Sequence, residues 1–347
     1  MKRERILMIS DYPPLNGGGL SININELKHV LSETNDVEII TSRVEDDFTS
    51  NTEYQNYIYS KNKLVLFCKL VRQIIKSKVI IINFTFSYRF LSCISLLVSK
   101  VLCKKIVFVF HTTLKHLEYN RLKNRKILKR VIFKILKKFI NNNVDNVVFT
   151  KTQKEELQIN GIKKIDIRPM PVIFKSEYSV SNIEKDIDII YIGEISELKG
   201  IKYLIDFLKN TTYNVVIIGN GNDYQKLKEE FANKKNIELL KTISHNSVIE
   251  YLKRSKYIFF PCVNDSWGRV VFEAMYTQTG IITITNSSGV IETLDSEQYL
   301  LISPPFEREK IEGMLINDKT STIKNLEYAI SKNNIYKENW INKLKYL

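Results

Sequence analysis

The chain has 347 residues, a mass of 40.6 kDa and a formal net charge of +14. This length is about twice that of a usual domain, so two domains are expected. Hydrophobic residues make up 44% of the chain and charged residues 26%, with only 12 Gly and 7 Pro, which excludes collagen-like, low-complexity and wholly disordered proteins.

Short apolar runs alternate with helical patterns through both halves of the chain. In the first half the predicted strands are Ile6–Ser10, Val37–Thr41, Val79–Asn83, Ile106–His111 and Asn146–Thr150. In the second half they are Asp188–Gly193, Asn214–Gly219, Ile237–Leu240, Tyr257–Pro261 and Gly280–Thr285. The predicted helices are Leu20–Leu31, Ile201–Lys209, Tyr224–Lys234, Ser247–Ser255 and Arg269–Tyr276. This alternation predicts an α/β protein with two Rossmann-like domains built on parallel sheets.

A linker is predicted where two prolines fall close together, in Arg168-Pro-Met-Pro171. Proline interrupts both helices and sheet ladders, so we place the boundary near Val172. The sequence therefore divides into an N-terminal domain over residues 1–172 and a second domain over residues 173–332. The remaining residues, 333–347, carry apolar side chains at near-helical spacing and predict a C-terminal helix.

Three features bear on location. The apolar stretch Val79–Cys103 is divided by Arg89 and Lys100 into uncharged runs of ten residues, whereas a membrane-spanning helix needs ~20, so it predicts a buried strand and a core helix. The four cysteines follow neither a disulfide nor a zinc-ribbon spacing, which fits a reducing compartment. The first apolar run, Ile6–Ile9, is too short for a signal peptide. We expect a cytoplasmic protein.

The positive charge is concentrated in the first half of the chain. Residues 1–170 hold 30 Lys and Arg against 15 Asp and Glu, whereas residues 171–347 hold 22 against 23. Such a field favours an anionic partner, which can be a nucleic acid, a phospholipid surface or a phosphorylated substrate. The segment Lys115–Lys138 contains ten basic residues, a single acid and interleaved apolar residues. It fits either a basic helix lying on anionic lipid or a solvated helix packed on the sheet.

Glycine-rich turns follow several predicted strands. In the first half, a loop from Asp11 to Gly19 leads directly into a helix, so its backbone can approach an anion closely or simply form a tight turn. It lacks the GxGxxG pattern of nicotinamide cofactor sites. In the second half, Lys199-Gly200 and Gly219-Asn-Gly221 occupy equivalent positions, which places Lys199 at the carboxyl end of its strand, where it can neutralise a diphosphate.

Two acidic residues follow the strand that ends at Pro261. Asp265 lies in the loop and Glu273 lies two turns along the next helix, so two carboxylates can face one ligand at different points. A third acid, Glu292, follows Ser288-Gly289 after the next strand.

These motifs, in this order and spacing, resemble the retaining glycosyltransferases of family 4, which have the GT-B fold. The quoted elements are Gly18-Gly19, the strand ending in His111, Thr150–Leu157, Gly193-Glu194, Lys199-Gly200, Gly219-Asn-Gly221, Pro261-Cys262, Asp265–Gly268, Glu273-Ala-Met275 and Ser288-Gly289 with Glu292. The resemblance covers nearly the whole chain and implies two Rossmann-like domains facing across a cleft. It also implies that the C-terminal helix crosses back to the N-terminal domain.

The resemblance implies a role for individual residues. Lys199, Asp265 and His111 would serve catalysis, with Lys199 on the diphosphate and His111 reaching the donor sugar. Glu273 would hold the ribose hydroxyls. The donor-binding set implied by the resemblance is Gly18, Gly19, Gly193, Lys199, Trp267, Gly268, Arg269 and Glu273. A nucleotide-diphosphate sugar, UDP-sugar first, is expected as co-substrate, with no metal and no further cofactor.

The implied reaction transfers a sugar with retention of configuration to a hydroxyl of a glycan or lipid-linked acceptor. Family analogy favours bacterial surface polysaccharide assembly, with the protein peripheral on the inner membrane face. Two departures weaken this interpretation: the arginine usual after Gly193 is Glu194, and the first acid of the pair is Asp265, one methylene shorter than Glu. Arg269 can substitute for the missing arginine.

Three alternatives follow from the residues. The departures favour a non-catalytic sugar-nucleotide-binding partner of a glycosyltransferase. The sequence Asp186-Ile-Asp188 fits a metal-dependent transferase, although this pattern precedes its strand and a ligand pair is expected at the carboxyl end. The basic first half fits a nucleic-acid-binding protein, but no zinc-finger or RNP-type motif supports it. We expect no nucleic-acid partner.

Overall fold

The computed structural model describes residues 3–11, 18–42, 57–85, 90–114, 134–179, 183–285, 287–316 and 322–345. The chain forms two compact units. Unit 1 comprises residues 1–171 and 334–347, and unit 2 comprises residues 172–333. The chain thus leaves unit 1 after Pro171, within the proline pair of the predicted linker, and returns to it at Asn334.

Within its described residues, unit 1 holds a seven-stranded parallel sheet in the order β3-β2-β1-β4-β5-β6-β7. The strands are β1 (Arg5–Ser10), β2 (Asp36–Thr41), β3 (Tyr57–Ile58), β4 (Val79–Phe84), β5 (Lys105–Phe110), β6 (Asp145–Val148) and β7 (Ile165–Ile167). The helices are α1 (Gly19–Ser32), α2 (Lys63–Lys76), α3 (Phe90–Val101) and α4 (Lys151–Ile159). Residues 134–140 are also helical.

The central strands of unit 1 are continuous runs of β-branched and aromatic residues because helices cover both faces of the sheet. Every residue of β4 is buried. Rings of neighbouring strands pack together, with Phe84 and Phe108 centroids 4.9 Å apart and Phe108 and Phe110 centroids 5.1 Å apart. The stretch Val79–Cys103 therefore forms a buried strand and a helix that packs on the same core, as predicted.

Within its described residues, unit 2 holds a six-stranded parallel sheet in the order β10-β9-β8-β11-β12-β13. The strands are β8 (Ile187–Ile192), β9 (Val215–Ile218), β10 (Ile237–Leu240), β11 (Ser255–Phe260), β12 (Gly280–Ile284) and β13 (Leu300–Ile302). The helices are α5 (Ile201–Asn210), α6 (Tyr224–Glu230), α7 (His245–Arg254), α8 (Arg269–Tyr276), α9 (Arg308–Ile316) and α10 (Thr322–Lys345). The last helix continues from unit 2 into unit 1.

Each sheet grows in one direction from its first strand and then reverses. In unit 1 the reversal lies between β1 and β4, and in unit 2 it lies between β8 and β11. In parallel α/β sheets, ligands bind outside the carboxyl ends of the strands at this switch point. The arrangement confirms the predicted α/β class with two Rossmann-like units, and it fixes where a site is expected in each.

The end of α10 packs on unit 1 through Trp340, whose side chain is fully buried. The Trp340 Nε1–H donates to the carbonyl oxygen of Pro169 at 3.0 Å, and the Arg168 guanidinium lies 5.6 Å from the centre of the indole ring. Of the apolar residues in the described part of this segment, Tyr336, Trp340 and Leu344 are buried, whereas Ile335 is half-exposed. Within the described ranges, no helix combines the length and the hydropathy needed to cross a bilayer.

Candidate active site

The carboxyl ends of β8 and β11 are joined by an ion pair. Lys199 follows β8, Asp265 follows β11, and the Lys199 Nζ lies 2.6 Å from Asp265 Oδ2. Burial alone lowers the pKa of Lys199, but the Asp265 carboxylate and nearby acidic groups outweigh it, so the pKa lies above its ordinary value. Lys199 is a fixed cation at the switch point of the unit 2 sheet.

The turns that carry this pair require glycine. Gly200 has φ of +80°, and a Cβ there would overlap the carbonyl oxygen of Pro261, so the turn after Lys199 rests directly on the backbone that leads to Asp265. Gly289 also has φ of +80°, and a Cβ there would lie 3.0 Å from the Cβ of Asp265. A side chain at either position would push the ion pair apart.

The loop that carries Asp265 is held by further hydrogen bonds. The Asp265 amide donates to Ser288 Oγ at 2.8 Å, and the Trp267 amide donates to Asp265 Oδ1 at 3.3 Å. Cys262 lies beside the carboxylate, with its Sγ 3.9 Å from Asp265 Oδ2, and burial raises the pKa of this thiol to about 12. The thiol stays neutral, so the negative charge of this pair belongs to Asp265.

The second acid, Glu273, lies in a buried network. Its Oε1 accepts a hydrogen bond from Arg269 Nε at 2.5 Å and one from His245 Nε2 at 2.8 Å. Burial alone raises the pKa of Glu273, but Arg269 and His245 outweigh it and hold the pKa at about 2. Both contacts use the same carboxylate oxygen, so the network fixes the orientation of Glu273 as an anion.

Arg269 is used within this network. Its side chain is buried, and its second guanidinium nitrogen lies 3.5 Å from the hydroxyl of Tyr178, which stacks on Tyr276 with ring centroids 5.7 Å apart. The sequence interpretation treated Arg269 as a replacement for the arginine missing at Glu194. In the structure its charge instead balances Glu273, and Glu194 is exposed.

Trp267 and Gly268 shape the start of α8. The Trp267 side chain is 1% exposed and stacks on Phe272 with ring centroids 5.7 Å apart, so only the backbone of Trp267 can contact a ligand. Gly268 has φ of +78°, and a Cβ there would lie 2.8 Å from the Phe260 ring. The indole belongs to the core, and the backbone amides around Trp267 and Gly268 remain the groups that the resemblance implies fix the donor sugar.

The paired glycines after β9 allow another close contact. A Cβ at Gly219 would overlap the carbonyl oxygen of Gly193, and a Cβ at Gly221 would overlap that of Ile195. The Ile195 amide also donates to the carbonyl oxygen of Asn220 at 3.0 Å. The Gly219-Asn-Gly221 motif therefore lets the backbone after β8 lie against that after β9.

The Asp186-Ile-Asp188 pattern lies at the amino end of β8, away from the switch point. Asp186 pairs with Arg254, and Asp188 Oδ1 lies 2.8 Å from Lys256 Nζ. In the described part of the chain, no group of three or more His, Cys, Asp or Glu side chains could hold a metal ion. The two carboxylates serve ion pairs on the surface of unit 2.

In unit 1, His111 follows β5 and is buried. Its Nε2–H donates to Asn83 Oδ1 at 2.9 Å, because the Asn83 amide nitrogen donates to the carbonyl oxygen of Ile9 at 3.2 Å. Burial lowers the pKa of His111 to about 3, so the imidazole is neutral near pH 7. The protonated Nε2 leaves Nδ1 as an acceptor on the other side of the ring.

The glycines that precede α1 differ from those of unit 2. Gly18 has ordinary extended backbone angles and is the N-cap of α1, and its carbonyl oxygen accepts from the Ile22 amide at 3.2 Å. Among the described residues, a Cβ at Gly19 would meet no atom within 4 Å, so packing against them does not require glycine there. Residues 12–17 of this loop lie outside the described residues.

Comparison with known proteins identifies the family of unit 2. Residues 174–328 match the family Glycosyl transferases group 1. Unit 2 is a group 1 glycosyltransferase domain. A 137-residue stretch is 29% identical to the uncharacterized glycosyltransferase MJ1178 of Methanocaldococcus jannaschii. That stretch spans 38% of this chain and 38% of the relative's length.

Solved structures show the same fold for the whole chain. Alr3699/HepE of Anabaena, in complex with UDP and glucose, superposes with a TM-score of 0.78 at 12% identity, covering 99% of this chain and all of the other. WaaG, a glycosyltransferase involved in lipopolysaccharide biosynthesis, superposes with a TM-score of 0.61 at 12% identity, covering 97% of this chain and 95% of the other. The fold is GT-B.

The group 1 domain contains one site residue that the sequence interpretation missed. His245 is the first residue of α7 and reaches Glu273 from 28 positions away. A lone histidine after a short strand carries no signal of this contact. The pair Arg269 and Glu273 was visible in principle, because residues four apart face the same side of a helix.

Proposed function

We propose that this chain transfers a glycosyl unit from a nucleotide-diphosphate sugar to a hydroxyl acceptor, with retention of configuration. The supporting observation is the half-buried Lys199–Asp265 pair at the switch point of a group 1 glycosyltransferase domain. HepE, which shares the GT-B fold, has been crystallised with UDP-glucose. A UDP-sugar is therefore the first donor to test.

Lys199 is the residue proposed to act on the diphosphate. An ammonium carries three N–H donors, and Asp265 takes one of them, so the others can meet phosphate oxygens. The raised pKa keeps the charge in place through neutral pH. A cation fixed before the reaction stabilises the negative charge that develops on the leaving diphosphate without further reorganisation.

Glu273 is the residue proposed to bind the ribose. Arg269 and His245 both contact Oε1 and so fix the carboxylate in place. An ionised carboxylate oxygen can accept a hydrogen bond from a sugar hydroxyl. Two neighbouring ribose hydroxyls can therefore both donate to Glu273, either to one carboxylate oxygen or to one oxygen each. The buried network fixes this acceptor before the donor arrives, which reduces the ordering cost of binding.

The stereochemical outcome is proposed from the shortage of a candidate nucleophile. Asp265 is the acid nearest the switch-point lysine, and its carboxylate oxygens are engaged by Lys199 and by the Trp267 amide. In a front-face mechanism, the acceptor hydroxyl attacks the sugar from the same side that the diphosphate leaves. Such a mechanism retains the configuration without a covalent sugar–protein intermediate. His111 in unit 1 would contact the sugar through the neutral Nδ1.

The test is a panel of nucleotide-sugars assayed for thermal stabilisation and for UDP release with glycan acceptors. A ligand at 100 times its dissociation constant stabilises the folded state by ~2.7 kcal/mol. Nuclear magnetic resonance of the product gives the anomeric configuration, and turnover should persist in EDTA. Stabilisation without turnover would instead support a non-catalytic sugar-nucleotide-binding partner. Loss of turnover in EDTA, restored by manganese or magnesium, would contradict the metal-independent mechanism.

We also propose that the acceptor is lipid-linked, that the protein works in bacterial surface polysaccharide assembly, and that unit 1 binds the inner membrane face. WaaG, of the same fold, is involved in lipopolysaccharide biosynthesis. Unit 1 carries 33 Lys and Arg against 16 Asp and Glu, whereas unit 2 carries 19 against 22. Of the basic segment 115–138, residues 115–133 lie outside the described residues, and Lys134 and Lys138 are exposed.

Vesicle sedimentation tests this second proposal. Binding to anionic vesicles should weaken as salt screens the charges and should fall when Lys129, Arg130, Lys137 and Lys138 are replaced by Glu. Equal binding to anionic and neutral vesicles would contradict it. A salt-sensitive shift of a polynucleotide, with no preference for anionic vesicles, would favour a nucleic-acid partner for the basic half.

A further inference from the structure

Helix α2 packs on the core of unit 1 through one narrow face. The buried residues Leu66, Leu70 and Ile74 are spaced by four positions and belong to the same core cluster as the sheet. Residues at this spacing form one stripe along a helix. The opposite face of α2 is therefore directed away from the core.

That opposite face is also apolar. Leu64 is 71% exposed, Phe67 is 41% exposed and Ile75 is 56% exposed. Leu64 and Ile75 are eleven residues apart, three helical turns, so they lie on the same side, and Phe67 lies one turn after Leu64. A second apolar stripe that stays in water adds nothing to the stability of a helix that is already anchored by the first. An exposed stripe of this kind is typical of a surface that contacts an apolar partner.

Exposed apolar side chains also lie near the end of α3. Leu97 and Val101 of this helix are 45% and 82% exposed, and Leu102, directly after it, is 36% exposed. Lys104 lies between α3 and β5. Its Nζ donates to the carbonyl oxygens of Ile75 at 2.7 Å and Ser77 at 2.9 Å, so it connects this part of the chain to the end of α2. We define the apolar ridge as the exposed side chains on these two helices and directly after α3: Leu64, Phe67, Ile75, Leu97, Val101 and Leu102.

The charges around the apolar ridge have one sign. Helix α2 contains Lys63, Lys69, Arg72 and Lys76 and no acidic residue. The sequence from Tyr54 to Leu117 contains eleven Lys and Arg and no Asp or Glu. The surface that fits this ridge must therefore offer both an apolar layer and negative charge.

We propose that the apolar ridge inserts shallowly into an anionic phospholipid bilayer. Its apolar side chains would enter the boundary of the acyl chains, and the lysines and Arg72 of α2 would lie among the lipid phosphates. Nucleic acid offers no apolar layer for the ridge. A second copy would bring two strongly basic surfaces together, which like-charge repulsion opposes.

This inference deepens the membrane association proposed above, because it assigns the contact to α2 and α3 instead of the basic segment 115–138. The apolar ridge also contains none of the residues proposed to bind the donor or to serve catalysis. Donor chemistry and lipid insertion can therefore be scored separately in the same samples.

A tryptophan reporter tests insertion directly. The natural tryptophans, Trp267 and Trp340, are 1% and 0% exposed, so an added exposed indole is easily distinguished. Leu64→Trp should shift its emission to the blue with vesicles of phosphatidylcholine and phosphatidylglycerol, and not with phosphatidylcholine alone. The matched reporter Ile323→Trp, at a 61% exposed position of unit 2, should not shift. Equal shifts at both positions, or none at Leu64→Trp, would overturn the proposal.

A substitution series measures the contribution of the ridge. The triple change Leu64→Ser, Phe67→Ser and Ile75→Ser should weaken partitioning into anionic vesicles about tenfold or more, since three exposed apolar side chains are removed. The control triple Leu301→Ser, Ile323→Ser and Ile330→Ser removes side chains of similar exposure from unit 2 and should leave partitioning unchanged.

Three outcomes separate the possible failures. Unchanged partitioning of the ridge triple, with a native circular dichroism spectrum and melting curve, would overturn the proposal. A wild-type dimer that the ridge triple converts to a monomer without lipid would assign the ridge to a second copy instead. If Leu64→Trp inserts but no nucleotide-sugar supports UDP release, the proposed function fails and the lipid-binding ridge stands.

Discussion

The two sheets share a topology, but their carboxyl ends carry different chemistry. In unit 2, β8 and β11 lead to Lys199 and Asp265, which face each other at 2.6 Å. In unit 1, the equivalent β1 leads to Asp11, whose carboxylate accepts from the Leu91 and Ser92 amides at 2.8 Å and so caps the start of α3. The carboxylate after the first strand thus serves the fold in unit 1, whereas the charges in unit 2 are paired with each other.

This difference indicates a division of labour. The Lys199 ammonium can bind an anionic ligand while it stays paired with Asp265, because an ammonium carries three N–H donors. Unit 1 contributes the neutral His111 at its carboxyl edge and carries its large positive charge elsewhere, including the surface of α2. Donor chemistry is therefore expected to depend mainly on unit 2 charges. Apart from His111 and the glycines at the start of α1, unit 1 changes are expected to affect stability, acceptor use or location.

The largest expected effect comes from breaking the buried network of unit 2. Glu273→Gln leaves the Arg269 guanidinium buried without its carboxylate, which typically costs about 3–5 kcal/mol of the free energy of unfolding. Urea unfolding measures this loss, and the KM for the nucleotide-sugar should rise in parallel. Glu230→Gln is the control, since its partner Lys209 is on the surface and such pairs contribute about 0–1 kcal/mol. Unchanged stability of Glu273→Gln would contradict the network.

The next effect tests Lys199 as the diphosphate ligand. Lys199→Ala should reduce kcat by about 10²–10³-fold, the usual cost of removing one fixed group that stabilises developing negative charge. Lys256→Ala is the matched control, because Lys256 also pairs with an aspartate, Asp188, but at the amino end of β8. An equal loss of activity in both variants would contradict a specific role for Lys199 at the carboxyl end of the unit 2 sheet.

Much of the fold could be predicted from sequence because its central strands are long apolar runs. Each predicted strand overlaps one in the structure, and the strands that were missed, β3, β7 and β13, are two or three residues long and lie at sheet edges. Short edge strands bury little and leave no apolar run in the sequence. Helix α2 was also missed, although its buried residues Leu66, Leu70 and Ile74 follow a helical spacing.

The candidate site was predictable in its anchors but not in its contacts. Lys199, Asp265 and Glu273 follow strands in a recognisable order, and the structure places them in two ionic clusters of unit 2. The contact between His245 and Glu273 depends on how α7 packs against α8, which no local pattern encodes. The burial of the Trp267 ring likewise follows from the glycine turn at Gly268, which directs the chain inward before α8 begins.

A smaller effect should appear in the pH dependence of stability, through unit 1. Burial lowers the pKa of His111 to about 3, while in the unfolded chain it is about 6.5. The unfolded state therefore binds one more proton between these values, so the stabilisation is complete above pH 6.5 and is lost as the pH falls below it. The slope is at most about 1.4 kcal/mol per pH unit.

Urea unfolding between pH 8 and pH 5 measures the contribution of His111. Glu273 does not interfere in this window, because its pKa of about 2 lies below the ordinary value near 4.5, and its stabilisation is lost only as the pH falls below about 4.5. His111→Gln should flatten the profile. An equal slope in the variant would show that His111 is not the group responsible.

The smallest effect on stability is expected at Gly19, and it separates glycines kept for packing from one kept for a ligand. A Cβ at Gly200 would overlap the Pro261 carbonyl oxygen at a positive φ, so Gly200→Ala should be clearly destabilising. Among the described residues, a Cβ at Gly19 meets no atom within 4 Å, and alanine is the better helix former. Gly19→Ala should therefore raise the free energy of unfolding by no more than about 1 kcal/mol. If the loop before α1 approaches the donor phosphates, the same variant should nevertheless raise the KM for the nucleotide-sugar, since the added methyl would occupy the space the ligand needs. A stable Gly19→Ala variant with wild-type kinetics would restrict donor binding to unit 2.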